Sequence, residues 1–203
     1  MAEYYCENSC DRHIRDNYFP DFEYKGIMVE VGGGHPTLFS SSKHWKDSGW
    51  RCIIFEPNPF LYDLHIKDGS EVYNLACGET DENELDFEIV PEAWHGMSYS
   101  SFKIKYDFIN KEFEVIKIKV NAVKLNSFFD EKKIKHVDIL SIDTEGYELE
   151  VMKGLDTDKI YCNYIVLENL LNDANYDKYM ESIGYEKIQH NHYDSIYRKI
   201  KQD

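Results

Sequence analysis

The sequence predicts an α/β fold on a mostly parallel sheet, and three observations carry that prediction. Strand-like apolar runs alternate with helical stretches from residue 27 to residue 76, the pattern of strands joined by crossover helices. The run Ile27-Met28-Val29-Glu30-Val31 passes straight into Gly32-Gly33-Gly34, where the backbone can approach a ligand closely. Later runs end in carboxylates, Glu56 and Asp143, and parallel strands present such residues on one rim of the sheet.

The elements follow in order. Residues 1–25 are polar with interleaved aromatics and predict a helical lead-in ending near Pro20. Ile27–Val31 is the first strand. Pro36 then opens a helix at an allowed first-turn position, with Leu38, Phe39, Ser42 and Trp45 as its inner stripe and Gly49 as its stop. Arg51–Phe55 is the second strand. Asn58 caps the next helix, Pro59 takes its first position, and Leu61 and Leu64 face inward. Residues 71–76 form a third strand. Residues 79–122 break the alternation and form a substrate-side insertion. Within it, 85–90 and 114–120 read as strands, and the loop holding Trp94 to Ser101 is long enough to be functional. Residues 137–142 are a strand closed by Asp143, followed by a helix that Gly154 ends. Residues 164–167 are a strand closed by Glu168 and Asn169. A helix over 173–183 and a hairpin of 185–188 with 195–200 complete a single domain over 1–203.

Composition excludes some classes. The net charge of -15 disfavours a nucleic-acid footprint, which needs clustered Lys and Arg. No apolar run approaches the roughly 20 residues of a membrane helix. Glu3, Glu7 and Asp11 do not suit a signal peptide, and five scattered cysteines suit a reducing compartment, so a cytoplasmic protein is expected. Cys52 and Cys162 read as core residues. Cys6, Cys10 and His13 could ligate zinc, but their spacing is unusual and no fourth ligand stands nearby, so zinc is not the favoured reading.

Gly32 and Gly34 fit two positions of a dinucleotide fingerprint, but Thr37 stands at the third. Glu30, just before the turn, suits a cationic amino-acid tail. S-adenosylmethionine has such a tail and no pyrophosphate. Glu56 is placed to accept hydrogen bonds from both hydroxyls of a ribose. Glu148 and Glu150 read as acids that favour a helix N-terminus, whereas Asp143 ends an apolar strand and faces the ligand.

With these residues in view, the sequence resembles the FkbM-type S-adenosylmethionine-dependent methyltransferases. The resemblance rests on Tyr18-Phe19-Pro20, Val29-Glu30-Val31-Gly32, Gly49-Trp50 and Phe55-Glu56-Pro57-Asn58-Pro59. Ile142-Asp143-Thr144-Glu145-Gly146-Tyr147-Glu148, Val151-Met152-Lys153-Gly154 and Ile165-Val166-Leu167-Glu168 extend it over nearly the whole chain. It implies a Rossmann-like class I methyltransferase fold: a mostly parallel seven-stranded sheet with an antiparallel last strand and helices on both faces. It implies methyl transfer to a hydroxyl of a sugar, glycan or small secondary metabolite. Glu30, Gly32 and Gly34 would hold the methionine part of the cofactor, Glu56 the ribose, and Ala76 and Cys77 the adenine. Gly33 and Pro57 complete that set, and Asp143 would sit near the transferring methyl. The chain departs from the family's usual pattern at Glu30 (Asp), Pro36 (Gly), Ser141 (Lys) and Asn126 (Asp).

Asp143 and His95 are the candidate bases for the acceptor proton, with His35 and His192 behind them. An additional reading places Mg²⁺ on Asp143, Glu168 and Asn169, where it would lower the pKa of an acceptor hydroxyl. Trp94, Tyr99 and Tyr106 could stack on a sugar. Two other readings stay open: a catalytically inactive cofactor-binding module of a glycan-synthesis assembly, and a nicotinamide-dependent oxidoreductase.

Overall fold

The structure is a computed structural model and describes residues 2–90, 99–101 and 113–200. Six helices are seen among them: α1 Cys10–Tyr18, α2 Lys43–Asp47, α3 Pro59–Lys67, α4 Leu125–Lys132, α5 Glu148–Lys153 and α6 Ala174–Ser182. The first strands are β1 Ile27–Val31, β2 Arg51–Phe55, β3 Glu71–Tyr73, β4 Ala76–Cys77, β5 Glu82–Val90 and β6 Tyr99–Ser101. β7 Ile116–Val123, β8 His136–Ile142, β9 Tyr161–Glu168, β10 Tyr185–Asn191 and β11 Asp194–Lys199 follow.

Seven strands form the main sheet in the order β10-β11-β9-β8-β1-β2-β3. β1 pairs in parallel with β2 and with β8, and β2–β3 and β8–β9 are parallel too. β11 runs antiparallel to both β9 and β10. The sheet is therefore mixed rather than mostly parallel. A terminal hairpin must supply antiparallel pairing, because its short connection leaves no room for a crossover.

Period-two alternation builds a core on each face. Val29, Val31, Ile53, Phe55, Leu140, Ile142, Ile165 and Leu167 point to one face, where they meet Phe128 and Phe129 of α4, Val151 and Met152 of α5 and Met180 of α6. Met28, Cys52, Ile139, Val166 and Ile196 point the other way, against Cys10 and Ile14 of α1 and Trp45 of α2. Arg15 is buried there with its guanidinium 4.4 Å from the Trp45 ring, and its Nε donates to His44 Nε2. That contact docks the amino-terminal segment onto the sheet.

Two local expectations give way, and one helix goes beyond them. Pro36 does not open a helix: α2 begins only at Lys43, and Leu38 and Phe39 are half exposed, 47% and 49%. Phe39 takes φ 56°, a left-handed conformation that interrupts any helix. The strand expected over 71–76 is two strands. β3 joins the main sheet, while β4 pairs with β7 in a second, four-stranded sheet ordered β4-β7-β5-β6. Helix α4 was not foreseen, because its sequence, Leu-Asn-Ser-Phe-Phe-Asp-Glu-Lys, shows only one short apolar face. No helix among the described residues is long and apolar enough to cross a membrane.

Candidate active site

The chain runs outward through β1, β2 and β3 and returns to place β8 beside β1. The connections that leave the carboxyl ends of β1 and β8 therefore run in opposite directions along the sheet, and open α/β sheets place ligands at such a point. A cleft of about 140 Å³ lies there.

The glycine turn forms its floor. Gly32 N and Gly33 N donate to Phe55 O at 3.0 and 3.1 Å, continuing the ladder beyond the ends of β1 and β2. Gly32 has φ +84°, and a Cβ there would lie 1.7 Å from the carbonyl oxygen of Asp143. That contact explains the glycine: the turn must pass directly over the end of β8. From beneath, the buried His65 of α3 holds the turn, with Nε2 3.1 Å from Gly34 O. Burial lowers the pKa of His65, so the ring is neutral.

Two acids flank the turn. Glu56 is 1% exposed and accepts from Gly34 N at 2.8 Å and Asn58 N at 2.7 Å. Asn58 in turn accepts from Phe60 N and caps α3, as the sequence predicts. Glu30 is 4% exposed. Its Oε1 accepts from Ser41 N at 2.9 Å, and its Oε2 is buried with no hydrogen-bond partner among the described residues. Ser42 stands near that carboxylate, yet no hydrogen bond of acceptable geometry reaches Oε2. Burial pushes Glu30 up to about 7, partly opposed by the Ser41 and Ser42 groups. It pushes Glu56 up to about 8, against the two backbone donors.

Asp143 faces the open cleft at the end of β8. The enclosing protein raises its pKa, and the nearby carboxylates of Glu148 and Asp194 raise it further. Glu168, at the end of β9, is raised by burial and then by Asp143. One carboxylate oxygen from each of Asp143, Glu148 and Glu168 lies within 4.8 Å of the other two. Asp143 and Glu168 titrate as a pair, in which Asp143 raises Glu168 and a hydrogen bond with Glu168 partly offsets the rise at Asp143.

Glu148 plays a larger part than its helix-start position suggests. It is fully buried, and its Oε1 accepts from Thr144 N, Thr144 Oγ1 and Gly146 N at 2.9, 3.1 and 2.9 Å. Its Oε2 accepts from Tyr176 OH at 2.5 Å. One carboxylate thus folds the Asp143–Gly146 loop, in which Glu145 takes φ 56°. The only sequence signal was spacing, since an acid four residues beyond Thr144 can reach back to a preceding loop. His65 carried no such signal.

All nine residues expected to bind the cofactor come together at the cleft: Glu30, Gly32, Gly33, Gly34, Glu56, Pro57, Ala76, Cys77 and Asp143 line it. Phe87 and Ser101 of the second sheet join them, and Ser101 Oγ donates to Thr144 O. Asn169, expected beside Asp143 and Glu168 as an Mg²⁺ ligand, is engaged with Asp173. Its Oδ1 accepts from Asp173 N and its Nδ2 donates to Asp173 O, which fixes the start of α6. His35 lines the cleft, with Nδ1 accepting from Thr37 N and Leu38 N. His192 sits at φ 56° in the β10–β11 turn. His95, Trp94, Tyr106 and the side chain of Tyr99 lie outside the described residues. Asn126 accepts from Asp156 N, a loop tie remote from the cleft lining.

Fold and cleft together define an α/β protein with an acid-flanked cleft at the strand ends. The methyltransferase FkbM domain matches residues 27–190, and the chain belongs to that family. It is also 25% identical over 157 residues to a protein named Methyltransferase 1 from Beauveria bassiana (strain ARSEF 2860). That match covers 68% of this chain and 60% of the relative, so the chain spans well under two thirds of the relative's length.

Proposed function

We propose that the chain is an S-adenosylmethionine-dependent O-methyltransferase with a Rossmann-like class I architecture, acting on a hydroxyl of a sugar, glycan or small secondary metabolite. The observation that carries the cofactor reading is the buried Glu30 carboxylate, which lines a glycine-floored cleft and whose Oε2 has no hydrogen-bond partner among the described residues. An unpaired buried acceptor is costly, and a cationic ammonium would satisfy it. Glu56 stands across the turn for ribose hydroxyls, and Leu75, Ala76, Cys77 and Phe87 offer an apolar slot for a planar base. The strand order, with β11 antiparallel between β9 and β10, supports the class I reading.

When bound, S-adenosylmethionine supplies an electrophilic methyl on a good, neutral leaving group. The protein must orient an acceptor hydroxyl in line and remove its proton. Asp143 faces the cleft, and the surrounding protein with the nearby Glu148 and Asp194 carboxylates raises its basicity, so its carboxylate takes that proton. The acceptor class follows the family resemblance.

Calorimetry with S-adenosylmethionine, S-adenosylhomocysteine and NAD tests the cofactor. Micromolar binding of the first two and none of NAD is the expected result; binding of NAD alone would sink the reading. A mass-spectrometric screen of hydroxyl acceptors then tests activity. Cofactor binding without any methylated product would favour the inactive-module alternative.

A further inference from the structure

Apart from the cleft, one other group of ligand-capable side chains comes together among the described residues: Cys6, Cys10 and Asp194. We propose that these three side chains bind a zinc ion that ties the amino-terminal segment to β11, with water as fourth ligand. The site is independent of the methyltransferase reading.

The geometry suits zinc. The three ligand atoms lie within 4.8 Å of one another, and Cys10 Sγ is 3.4 Å from Asp194 Oδ2. Tetrahedral zinc with bonds of about 2.3 Å to sulfur and 2.1 Å to oxygen separates such ligands by about 3.5 Å. Two thiolates and a carboxylate form a donor set that zinc accepts and that magnesium and calcium do not favour.

The backbone around the site is already set. Asp11 accepts from Tyr5 N and Cys6 N at 2.6 and 3.2 Å, and Ser9 N donates to Cys6 O at 3.0 Å. Ser9 takes φ 57°, which turns the chain so that Cys10 opens α1. The neighbouring Cys6 and burial raise the Cys10 thiol's pKa, so a bound metal must displace its proton. Asn8 Nδ2 donates to Asp194 Oδ2 at 3.0 Å, a second contact that orients the carboxylate. Cys6 is partly exposed, which leaves water a route to the fourth position. His13, the third member of the sequence triad, is not in the cluster. The third ligand comes from a strand 184 residues further along the chain than Cys10, which no local motif could reveal.

The test uses the reduced, chelator-treated 203-residue chain titrated with Zn(II) and, separately, Co(II). Metal analysis should find one zinc per chain after desalting. Co(II) should give a thiolate charge-transfer band and tetrahedral visible bands. Cys6→Ser, Cys10→Ser and Asp194→Asn should each weaken zinc binding at least tenfold, whereas Glu168→Gln, in the acidic cluster of the cleft, should not. The Co(II) spectrum of the unmodified protein needs no variant, so a misfolded Cys10→Ser would not blunt the test. A Co(II) spectrum without thiolate bands overturns the proposal, and so does zinc binding that survives Cys6→Ser and Asp194→Asn but fails in Glu168→Gln.

Discussion

Glu30 gives the sharpest single-residue prediction. Its folded pKa is raised to about 7, so it is charged only above neutrality until a cation arrives. Affinity for S-adenosylmethionine should therefore rise between pH 6 and pH 8 in calorimetry. Glu30→Gln should remove that pH dependence and weaken binding at pH 8 by about tenfold or more, the order of one charge-assisted hydrogen bond. Its circular dichroism should match the parent, because a neutral amide is less costly to bury than a charge. Gly32 makes a different prediction. Alanine there meets the Asp143 carbonyl and an unfavourable φ, so Gly32→Ala should cost about 3 kcal/mol or more in urea unfolding.

Among the elements, α5 and the loop before it depend on one buried acid. Glu148→Ala would leave Thr144 N and Gly146 N without their acceptor and Tyr176 OH without its partner. A loss of about 3 kcal/mol is expected, with a larger fall in kcat than in cofactor affinity, because the loop carries Asp143. Equal losses in both would argue against that link. At α3, Asn58→Ala removes the side-chain cap on Phe60 N and should cost about 1 kcal/mol by thermal unfolding. The Pro-Asn-Pro segment was readable because capping and first-turn proline are local rules. The helix expected from Pro36 was misread because nothing local announced that Ser41 would turn its N–H to Glu30 or that Phe39 would go left-handed.

For the whole molecule, buried acids set the response to pH. Glu30 and Glu56 have folded pKa values of about 7 and 8, above their unfolded value, and Asp143 is raised as well. Groups raised in this way contribute stability that is fully present below the unfolded pKa and is lost as pH rises through the folded pKa. His35, His44 and His65 are lowered by burial and act oppositely, but only below the ordinary histidine pKa of about 6.5. The acids paired to surface cations, Asp68 and Glu71, are lowered and matter only in the acid range. Stability of the ligand-free protein should therefore fall between pH 6.5 and pH 8 in denaturant titrations. Glu30→Gln should shallow the slope, and a rise in stability across that window in both proteins would contradict the account.

The sequence by itself determined the strands that carry the site, the glycine turn, the Asn58 cap and the two acids, Glu30 and Glu56, that flank the turn. Those features follow from period-two burial, backbone freedom at glycine and capping chemistry, all of which act within a few residues. The tertiary structure decided what depends on distance along the chain. It split residues 71–76 between two sheets, made the main sheet mixed, and placed His65 under the turn. It also committed Asn169 to Asp173, made Glu148 the holder of the Asp143 loop, and brought Asp194 to Cys6 and Cys10. Strand order and side-chain approach are settled only when the two faces of the sheet are covered, and no local pattern encodes which residues then meet.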